Sequence, residues 1–266
     1  MIRSTLHNHT HLCDGMNSAE EMAEAALKAG FTDFGFSGHA PAFFDEESTM
    51  RSEEEYIREI LRVRELFKGR VRIHLGVEQE YLAPVKDRRA YDYIIGSIHN
   101  LKIGGRYYTF DWTHEMMEDL TGAVDDAGWI PKQYYAYMMD MILVQKPDII
   151  GHFDLVTKLN ADEKYFKEDR EYRRLALEAL DVAIESDSVI EVNAAGFRYR
   201  PAPYPDKFLL ERIFERGKLL SVQADAHRAD AIVDNIAETV ELLREIGFRS
   251  SLQWIDGQWR EIGLEE

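Results

Sequence analysis

The sequence predicts an α/β fold made of repeated strand–helix units, the arrangement found in parallel β/α barrels. Short apolar runs alternate with longer amphipathic stretches along most of the chain. The length of 266 residues suits one such barrel. Histidines and carboxylates recur where the apolar runs end. We therefore expect a single domain over residues 1–266, with its functional side chains at the carboxyl ends of the strands.

The strand candidates are short runs rich in Val, Ile, Leu and aromatic residues. Seven strong candidates lie at residues 3–8, 33–39, 71–78, 91–99, 148–154, 188–193 and 219–225. The tail after residue 248 predicts a weaker eighth strand and a hairpin that turns at Asp256–Gly257.

Helical stretches separate most of these strands, and two of them carry start and stop signals. Ser18 is an N-cap candidate with Glu21 three positions later, and Gly30 marks the end of that helix. The stretch from Ser52 to Gly69 repeats this pattern. Two further amphipathic helices are predicted at residues 168–186 and 229–247.

A longer insertion at about 100–147 replaces the single helix expected between the fourth and fifth strands. Residues 102–112 predict an irregular hairpin, and two helical stretches follow it. The second helix, at 131–146, carries an apolar stripe that we expect to be core: Tyr135, Met138, Met139, Ile142 and Leu143.

The composition narrows the class of function. A net charge of −17 argues against a nucleic-acid partner, although metal ions in a pocket can still attract a small anion. The one cysteine, Cys13, excludes both an internal disulfide and a cysteine-based zinc site. The chain starts with a strand pattern and contains no run of about 18 apolar residues. We expect a cytoplasmic protein with no membrane partner.

Six of the nine histidines lie at or just past a predicted strand end, and acidic residues accompany them. His7 and His9 are two positions apart, so both imidazoles point to one side of the first strand. The candidate ligands are His7, His9, Asp14, His39, Glu78, His99, His152, Asp225 and His227. This set exceeds what one ion can use, so we expect two or three divalent ions, with Glu78 as a bridge. Ligands without sulfur favour Zn, Fe or Mn.

Two or three such ions suit the hydrolysis of a phosphate ester, because they activate water and neutralise phosphoryl charge. Amide or amine hydrolysis also fits such a site, but the lysine that often bridges its ions is missing from the strand ends. A phosphatase also needs a cation for the nonbridging oxygens. Arg198 and Arg200 lie in the loop after the sixth strand, and Lys158 follows the fifth.

Seven segments carry a resemblance to a known family. They are "LHNHTHLCDG", "GFSGHAP", "GVEQEY", "DYIIGSIHN", "PDIIGHFDLV", "EVNAAGFR" and "ADAH". In this order they resemble the PHP (polymerase and histidinol phosphatase) superfamily, and its histidinol-phosphatase branch most of all. The resemblance implies a TIM-like, distorted (β/α)7 barrel (the PHP fold) with a trinuclear metal centre, and hydrolysis of L-histidinol phosphate in histidine biosynthesis.

The resemblance also implies roles for individual residues. One ion would be held by His7, His9, Glu78 and Asp225, a second by Glu78, His99 and His152, and a third by Asp14, His39 and His227. Arg198 would bind the phosphate. From their positions after strand ends we expect Lys158 and Arg200 as further substrate contacts, and our mechanistic hypothesis is that Asp225 or His227 protonates the leaving group. Two alternatives stay open: another small phosphate ester, such as a nucleotide or phosphotyrosine, and a non-catalytic metal-binding module.

Overall fold

Seven parallel strands form one curved sheet that closes almost completely into a barrel. The computed structural model describes residues 2–264. In chain order the strands are β1 (Ser4–Thr5), β2 (Asp33–Phe36), β3 (Arg72–Glu80), β4 (Tyr93–Ser97), β5 (Asn100–Ile103), β6 (Arg106–Thr109), β7 (Ile149–Ile150), β8 (Val189–Asn193), β9 (Leu220–Gln223), β10 (Ser250–Ile255) and β11 (Gln258–Gly263). The barrel order is β1-β2-β3-β4-β7-β8-β9. This confirms the predicted (β/α)7 barrel.

Helices cover the outside of the sheet with their apolar faces. They are α1 (Ala19–Ala29), α2 (Glu53–Leu66), α3 (His114–Gly122), α4 (Trp129–Asp140), α5 (Arg170–Glu185), α6 (Lys207–Glu215) and α7 (Ile236–Ile246). Ser18 and Glu21 form a capping box at the start of α1, and Gly30 ends it with a left-handed φ of 86°. Ser52 caps α2 by accepting from the amide of Glu55. Ser18, Gly30 and Ser52 therefore marked real helix ends, whereas α2 ends at Leu66 with Phe67 as its C-cap, before the predicted end at Gly69.

Side chains complete the barrel where its first and last strands meet. The amide of Leu6 donates to Gln223 Oε1 over 2.6 Å, and the amide of Ala224 donates to Thr5 Oγ1 over 3.1 Å. Backbone pairing returns only at a single bridge between Asn8 and Ala226. These side-chain contacts explain why β1 is shorter than the predicted strand at 3–8.

The insertion contains a hairpin and two helices. The hairpin pairs β5 with β6 and turns at Gly104–Gly105, both of which have positive φ. Helix α4 continues into a π-helical turn at Met141–Gln145. This turn shifts the side-chain register, so Leu143 is 61% exposed although the rest of the predicted apolar stripe packs in the core. The prediction that Leu143 is core is therefore wrong.

The tail closes the amino end of the barrel instead of adding an eighth barrel strand. Strands β10 and β11 pair with each other and turn at Asp256–Gly257, as expected. Trp254 packs against the apolar barrel interior, and its Nε1 donates to His74 Nδ1 over 3.3 Å. His74 Nε2 in turn donates to Asp33 Oδ1 over 2.9 Å. The hairpin is thus attached to β2 and β3 through a row of hydrogen bonds from Trp254 to His74 to Asp33.

Two further features depend on the backbone. Gly76 on β3 makes room for the ring of Tyr93, since a Cβ at this position would lie 2.1 Å from that ring. Helix α7 begins at Ile236 rather than at the predicted residue 229, because Asn235 has a left-handed φ of 57° and interrupts the helix. No helix among residues 2–264 is long and apolar enough to cross a membrane.

Candidate active site

The nine candidate ligands, spread over 220 positions of the sequence, meet at the carboxyl end of the barrel. Seven of them line one cavity of about 300 Å³: Asp14, His39, Glu78, His99, His152, Asp225 and His227. The other two, His7 and His9, are fully buried next to them. The converging strand ends of a parallel barrel account for this meeting point.

Glu78, at the carboxyl end of β3, lies at the centre of the cluster. Its Oε2 atom is 3.1 Å from His7 Nε2, 3.4 Å from His9 Nε2 and 3.1 Å from His39 Nδ1. Asp225 Oδ1 lies on the same side, 3.3 Å from His9 Nε2. Asp225 adopts a left-handed φ of 48°, an uncommon conformation for a residue other than glycine, and one that recurs at functional sites.

The other carboxylate oxygen of Glu78 faces a different pair of histidines. Its Oε1 atom is 2.9 Å from His152 Nε2 and 3.4 Å from His99 Nε2. The two Nε2 atoms are 3.3 Å apart. Glu80, two positions along β3, lies with Oε2 3.3 Å from His99 Nδ1 and also accepts from the amide of His99. Glu78 therefore has the geometry of a carboxylate shared between two ligand groups.

Asp14 is at the centre of the third group. Its Oδ2 atom lies 3.1 Å from His227 Nε2 and 3.6 Å from His39 Nε2, and the ring of His227 stacks on that of His9 at 4.1 Å. The turn that carries Asp14 needs Gly15, because a Cβ there would lie 2.6 Å from the amide nitrogen of Thr10. The "DG" pair therefore forms a turn and also presents a candidate ligand.

The donor set fits divalent cations. His7 Nε2 and His9 Nε2 each lie within 4 Å of both Glu78 Oε2 and Asp225 Oδ1. Several buried atoms of the cluster have no hydrogen-bond partner among the described residues. These atoms are His7 Nε2, His9 Nε2, Asp14 Oδ1, Glu78 Oε2 and Asp225 Oδ1. Buried nitrogen and carboxylate atoms in this arrangement are satisfied by a shared metal ion. Four overlapping groups of three or four such residues have ligand atoms within 4.8 Å of one another.

The electrostatics of the cluster favour the ligand forms of its carboxylates. Burial raises the pKa of Glu78, but the nearby His7, His39 and His99 outweigh it and hold that pKa well below its usual value. For His9, burial together with His227 and His39 lowers the pKa to about 4. The ionised carboxylate and the neutral imidazole are the forms that coordinate a metal. Burial lowers the pKa values of His7, His39, His99 and His227, but the neighbouring carboxylates outweigh it and raise them, so these imidazoles must release a proton when an ion binds.

A buried carboxylate that the sequence analysis missed supports the ligands from behind. Glu191 on β8 is fully buried, with Oε2 2.9 Å from His7 Nδ1 and Oε1 2.6 Å from the amide of His152. Asn193, two positions on, donates to both Glu191 and Asp225. The sequence could have predicted this role, because a glutamate in the middle of an apolar strand is buried and a buried charge requires partners.

The three predicted substrate cations differ in position. Arg198 and Lys158 line the cavity, with side chains 29% and 17% exposed. Lys158 Nζ lies 3.4 Å from Asp111 Oδ2 and 4.7 Å from the ring centroid of Tyr199. Arg200 lies outside the cavity, where its guanidinium is bound by protein groups, so the structure does not support the prediction that it contacts substrate.

The three histidines without a predicted role lie elsewhere. His11 is exposed on the loop before α1, and His74 belongs to the row of hydrogen bonds at the opposite end of the barrel. The ring of His114, at the start of α3, lies 2.7 Å from the hydroxyl of Tyr165.

Comparison with known proteins identifies the family. Residues 5–195 match the model of the PHP domain. The chain belongs to the PHP family. A Deinococcus radiodurans protein named "Probable histidinol-phosphatase" is 31% identical over 260 residues, covering 92% of this chain and 94% of its own. The Bacillus subtilis protein named "Histidinol-phosphatase" is 28% identical, covering 84% of this chain and 92% of its own. These relatives confirm the predicted histidinol-phosphatase branch of the PHP superfamily.

Solved structures share the fold of this PHP protein. A crystal structure from Listeria monocytogenes matches with a TM-score of 0.77 at 19% identity, covering 88% of this chain and 99% of the other. The histidinol phosphate phosphatase from Lactococcus lactis, solved with zinc, L-histidinol and phosphate, matches with a TM-score of 0.70 at 18% identity. That match covers 97% of this chain and 98% of the other, so the barrel, the insertion and the tail all belong to the shared region.

Proposed function

We propose that this PHP protein hydrolyses L-histidinol phosphate to L-histidinol and inorganic phosphate. The observation that carries the proposal is a single cavity in which the Glu78 cluster lies together with two cations, Arg198 and Lys158. Relatives that carry the histidinol-phosphatase name over nearly their whole length support this choice of substrate. The complex of the Lactococcus lactis protein with L-histidinol and phosphate agrees with it.

We also propose that the cluster binds two or three divalent ions, with Zn, Fe and Mn as the candidates. The distances around Glu78 and Asp14 support the three ligand groups that the family resemblance implies. One group is His7, His9, Glu78 and Asp225, the second is Glu78, His99 and His152, and the third is Asp14, His39 and His227. Ions held there supply an activated water and neutralise charge on the phosphoryl group.

The protein's own side chains bind the substrate and move its protons. Arg198 and Lys158 attract the nonbridging phosphate oxygens and orient the ester, which raises the effective concentration of the reacting groups. The leaving alkoxide needs a proton, which Asp225 or His227 would supply. Burial raises the pKa of Asp225, but the nearby histidines outweigh it and keep the carboxylate ionised, so Asp225 would first take a proton from the attacking water. Asp225 is held by Asn193 and by the cluster, whereas His227 is the more exposed of the two, so both remain candidates.

The remaining proposals concern the whole chain. We propose that residues 1–266 work as one barrel domain, with the insertion at about 100–147 and the terminal hairpin as parts of it. Its packing supports this, since the barrel strands, the helices of the insertion and Leu264 share one apolar cluster. We also propose a cytoplasmic location, where small biosynthetic phosphate esters are found.

A substrate panel tests the proposed function. kcat/KM is measured for L-histidinol phosphate, nucleoside monophosphates, a phosphotyrosine peptide and a generic aryl phosphate, with metal analysis of the same preparation. We expect the value for L-histidinol phosphate to exceed the others by at least about 100-fold, or about 2.7 kcal/mol of transition-state discrimination. A value no higher than that for the aryl phosphate would leave only a general phosphoesterase.

A further inference from the structure

Arg200 is buried between two loops of the candidate active site, and its side chain is only 13% exposed. One edge of its guanidinium donates to Thr157 Oγ1 and, over 3.4 Å, to Asp154 Oδ2. The other edge donates to Asp206 Oδ2, and the plane lies over the ring of Tyr204 with 5.3 Å to its centroid. All three hydrogen bonds go to protein groups, and Arg200 does not line the cavity.

Arg200 and its hydrogen-bond partners belong to three different segments. Asp154 and Thr157 lie in the loop after β7, which also carries His152 and Lys158. Arg200 itself lies in the loop after β8, two positions past Arg198. Asp206 is the N-cap of α6.

Other contacts complete this junction. The buried carboxylate of Asp154 accepts from the amide of Asp206 over 3.0 Å. This bond joins the loop after β7 to the start of α6 directly, beside the contacts that Arg200 makes to both. The loop after β8 is held at its base, because Asn193 and Tyr204 exchange backbone hydrogen bonds of 2.7 and 3.1 Å. Arg200 lies between these two residues and attaches the middle of the loop to the loop after β7.

We propose that Arg200 is a positioning residue that holds Arg198 and Lys158 in place to bind phosphate. Its planar fork binds groups on two edges at once, which a lysine cannot reproduce. The loops that carry Arg198 and Lys158 both depend on that fork, and they also touch directly where Lys158 Nζ lies over the ring of Tyr199. This inference rests on the proposed phosphatase function and adds to it a residue outside the cavity.

Arg200→Lys tests the proposal, with Arg212→Lys as the matched control. Arg212 on α6 binds both oxygens of Asp181 at 3.1 Å and does not line the cavity. The metal-loaded proteins are compared by metal content, thermal unfolding, the Kd of inorganic phosphate by calorimetry, and kcat/KM. We expect Arg200→Lys to keep its metal, to bind phosphate about 10-fold more weakly and to lose about 10- to 100-fold in kcat/KM. The control should stay within about two-fold of the unmodified protein.

A second comparison separates positioning from a general structural role. In a protein that already carries Arg198→Ala and Lys158→Ala, Arg200→Lys should change the phosphate Kd by less than about two-fold, because the groups it positions are gone. An equal loss of affinity in both backgrounds would overturn the proposal. So would an unchanged phosphate Kd, or a loss of bound metal, in the single variant.

Two precautions keep the test decisive. If Arg200→Lys does not fold, Asp206→Asn weakens the same junction while retaining an N-cap side chain, and the same outcomes apply to it. The phosphate Kd does not depend on which ester is the substrate. Failure of L-histidinol phosphate in the substrate panel would therefore overturn the proposed function without deciding the role of Arg200.

Discussion

His152 Nε2 and Glu78 Oε1 lie 2.9 Å apart, although 74 positions separate the two residues in the sequence. The contact joins the loop after β7 to the end of β3, two strands that are not neighbours in the sheet. Because the other oxygen of Glu78 faces His7, His9 and His39, this carboxylate connects the two halves of the cluster.

Glu78→Gln should remove the bridging charge while preserving the shape of the side chain. A change behind a metal ligand typically costs 10- to 100-fold in metal affinity or activity, so the shared carboxylate itself should cost more than about 100-fold in kcat/KM. Metal content per chain should fall in the same preparation. Glu80→Gln is the matched control on the same strand, and a loss for Glu78→Gln no larger than for Glu80→Gln would contradict the central role of Glu78.

Glu191→Gln should weaken metal binding although Glu191 is not one of the nine candidate ligands. The carboxylate orients His7 through Nδ1 and holds the backbone of His152, so its loss should lower metal affinity by about 10- to 100-fold. A competition assay with a chelator measures the affinity. Glu211→Gln, on the exposed side of α6, serves as the control. Equal metal affinities for the two variants would rule out this supporting role.

Leaving-group dependence should identify the proton donor. A variant without the donor should be slow on an alkyl phosphate such as L-histidinol phosphate, because its alkoxide needs a proton in the transition state. Because both residues are also candidate metal ligands, the variants are compared after metal loading and at equal metal content, where the same variant should lose much less on an aryl phosphate with an acidic leaving phenol. We expect this selective loss, about 100-fold or more, for only one of Asp225→Asn and His227→Asn. Equal losses on both esters in both variants would exclude each residue as the donor.

Asp33 should contribute stability that depends on acid pH. Burial raises its pKa, but hydrogen bonds from His74, Arg72 and Thr32 outweigh burial and lower the pKa to about 2. The ionised form is therefore favoured by folding. Its contribution is complete above the unfolded pKa of about 3.9 and is lost as the pH falls towards 2.

Urea unfolding of the unmodified protein and Asp33→Asn, from about pH 6 to pH 2, measures this contribution. The difference in unfolding free energy should shrink by about 1–2 kcal/mol as the pH falls, a range that allows for solvent screening at the half-exposed Arg72. Asp187→Asn, at an exposed position, controls for the loss of a charge. A difference that stays constant over this pH range would contradict the account.

The sequence indicated which side chains would meet at the carboxyl end of the barrel, because strand geometry is local. His7 and His9 follow the two-residue repeat of a strand, and the other ligands stand at strand ends that a parallel barrel brings together. Arg200 could not be distinguished from Arg198 in this way. Arg200 binds protein groups instead of facing the cavity because Asp154, 46 positions earlier in the sequence, lies beside it in the folded protein.

The errors in the strand and helix assignments have a similar origin. Strand β7 is shorter than predicted because the amide of His152 donates to the side chain of Glu191 instead of to a neighbouring strand. Strand β1 is shorter than predicted because the amide of Leu6 donates to the side chain of Gln223. Leu143 is exposed because a π-helical turn changes the register late in a helix that is otherwise regular. In the first two cases a side chain that is distant in the sequence binds a backbone amide, and in the third an extra residue in one helical turn changes the register of the apolar pattern.

Metal reconstitution tests the central claim most directly. The protein is stripped with a chelator, and kcat/KM for L-histidinol phosphate is followed as Zn, Mn or Fe(II) is added in measured equivalents. The account predicts no measurable activity without metal, and recovery with at least one of these ions that levels off at two or three equivalents per chain. Full activity after complete removal of metal, or recovery that is complete at one equivalent, would contradict a multinuclear centre built around Glu78.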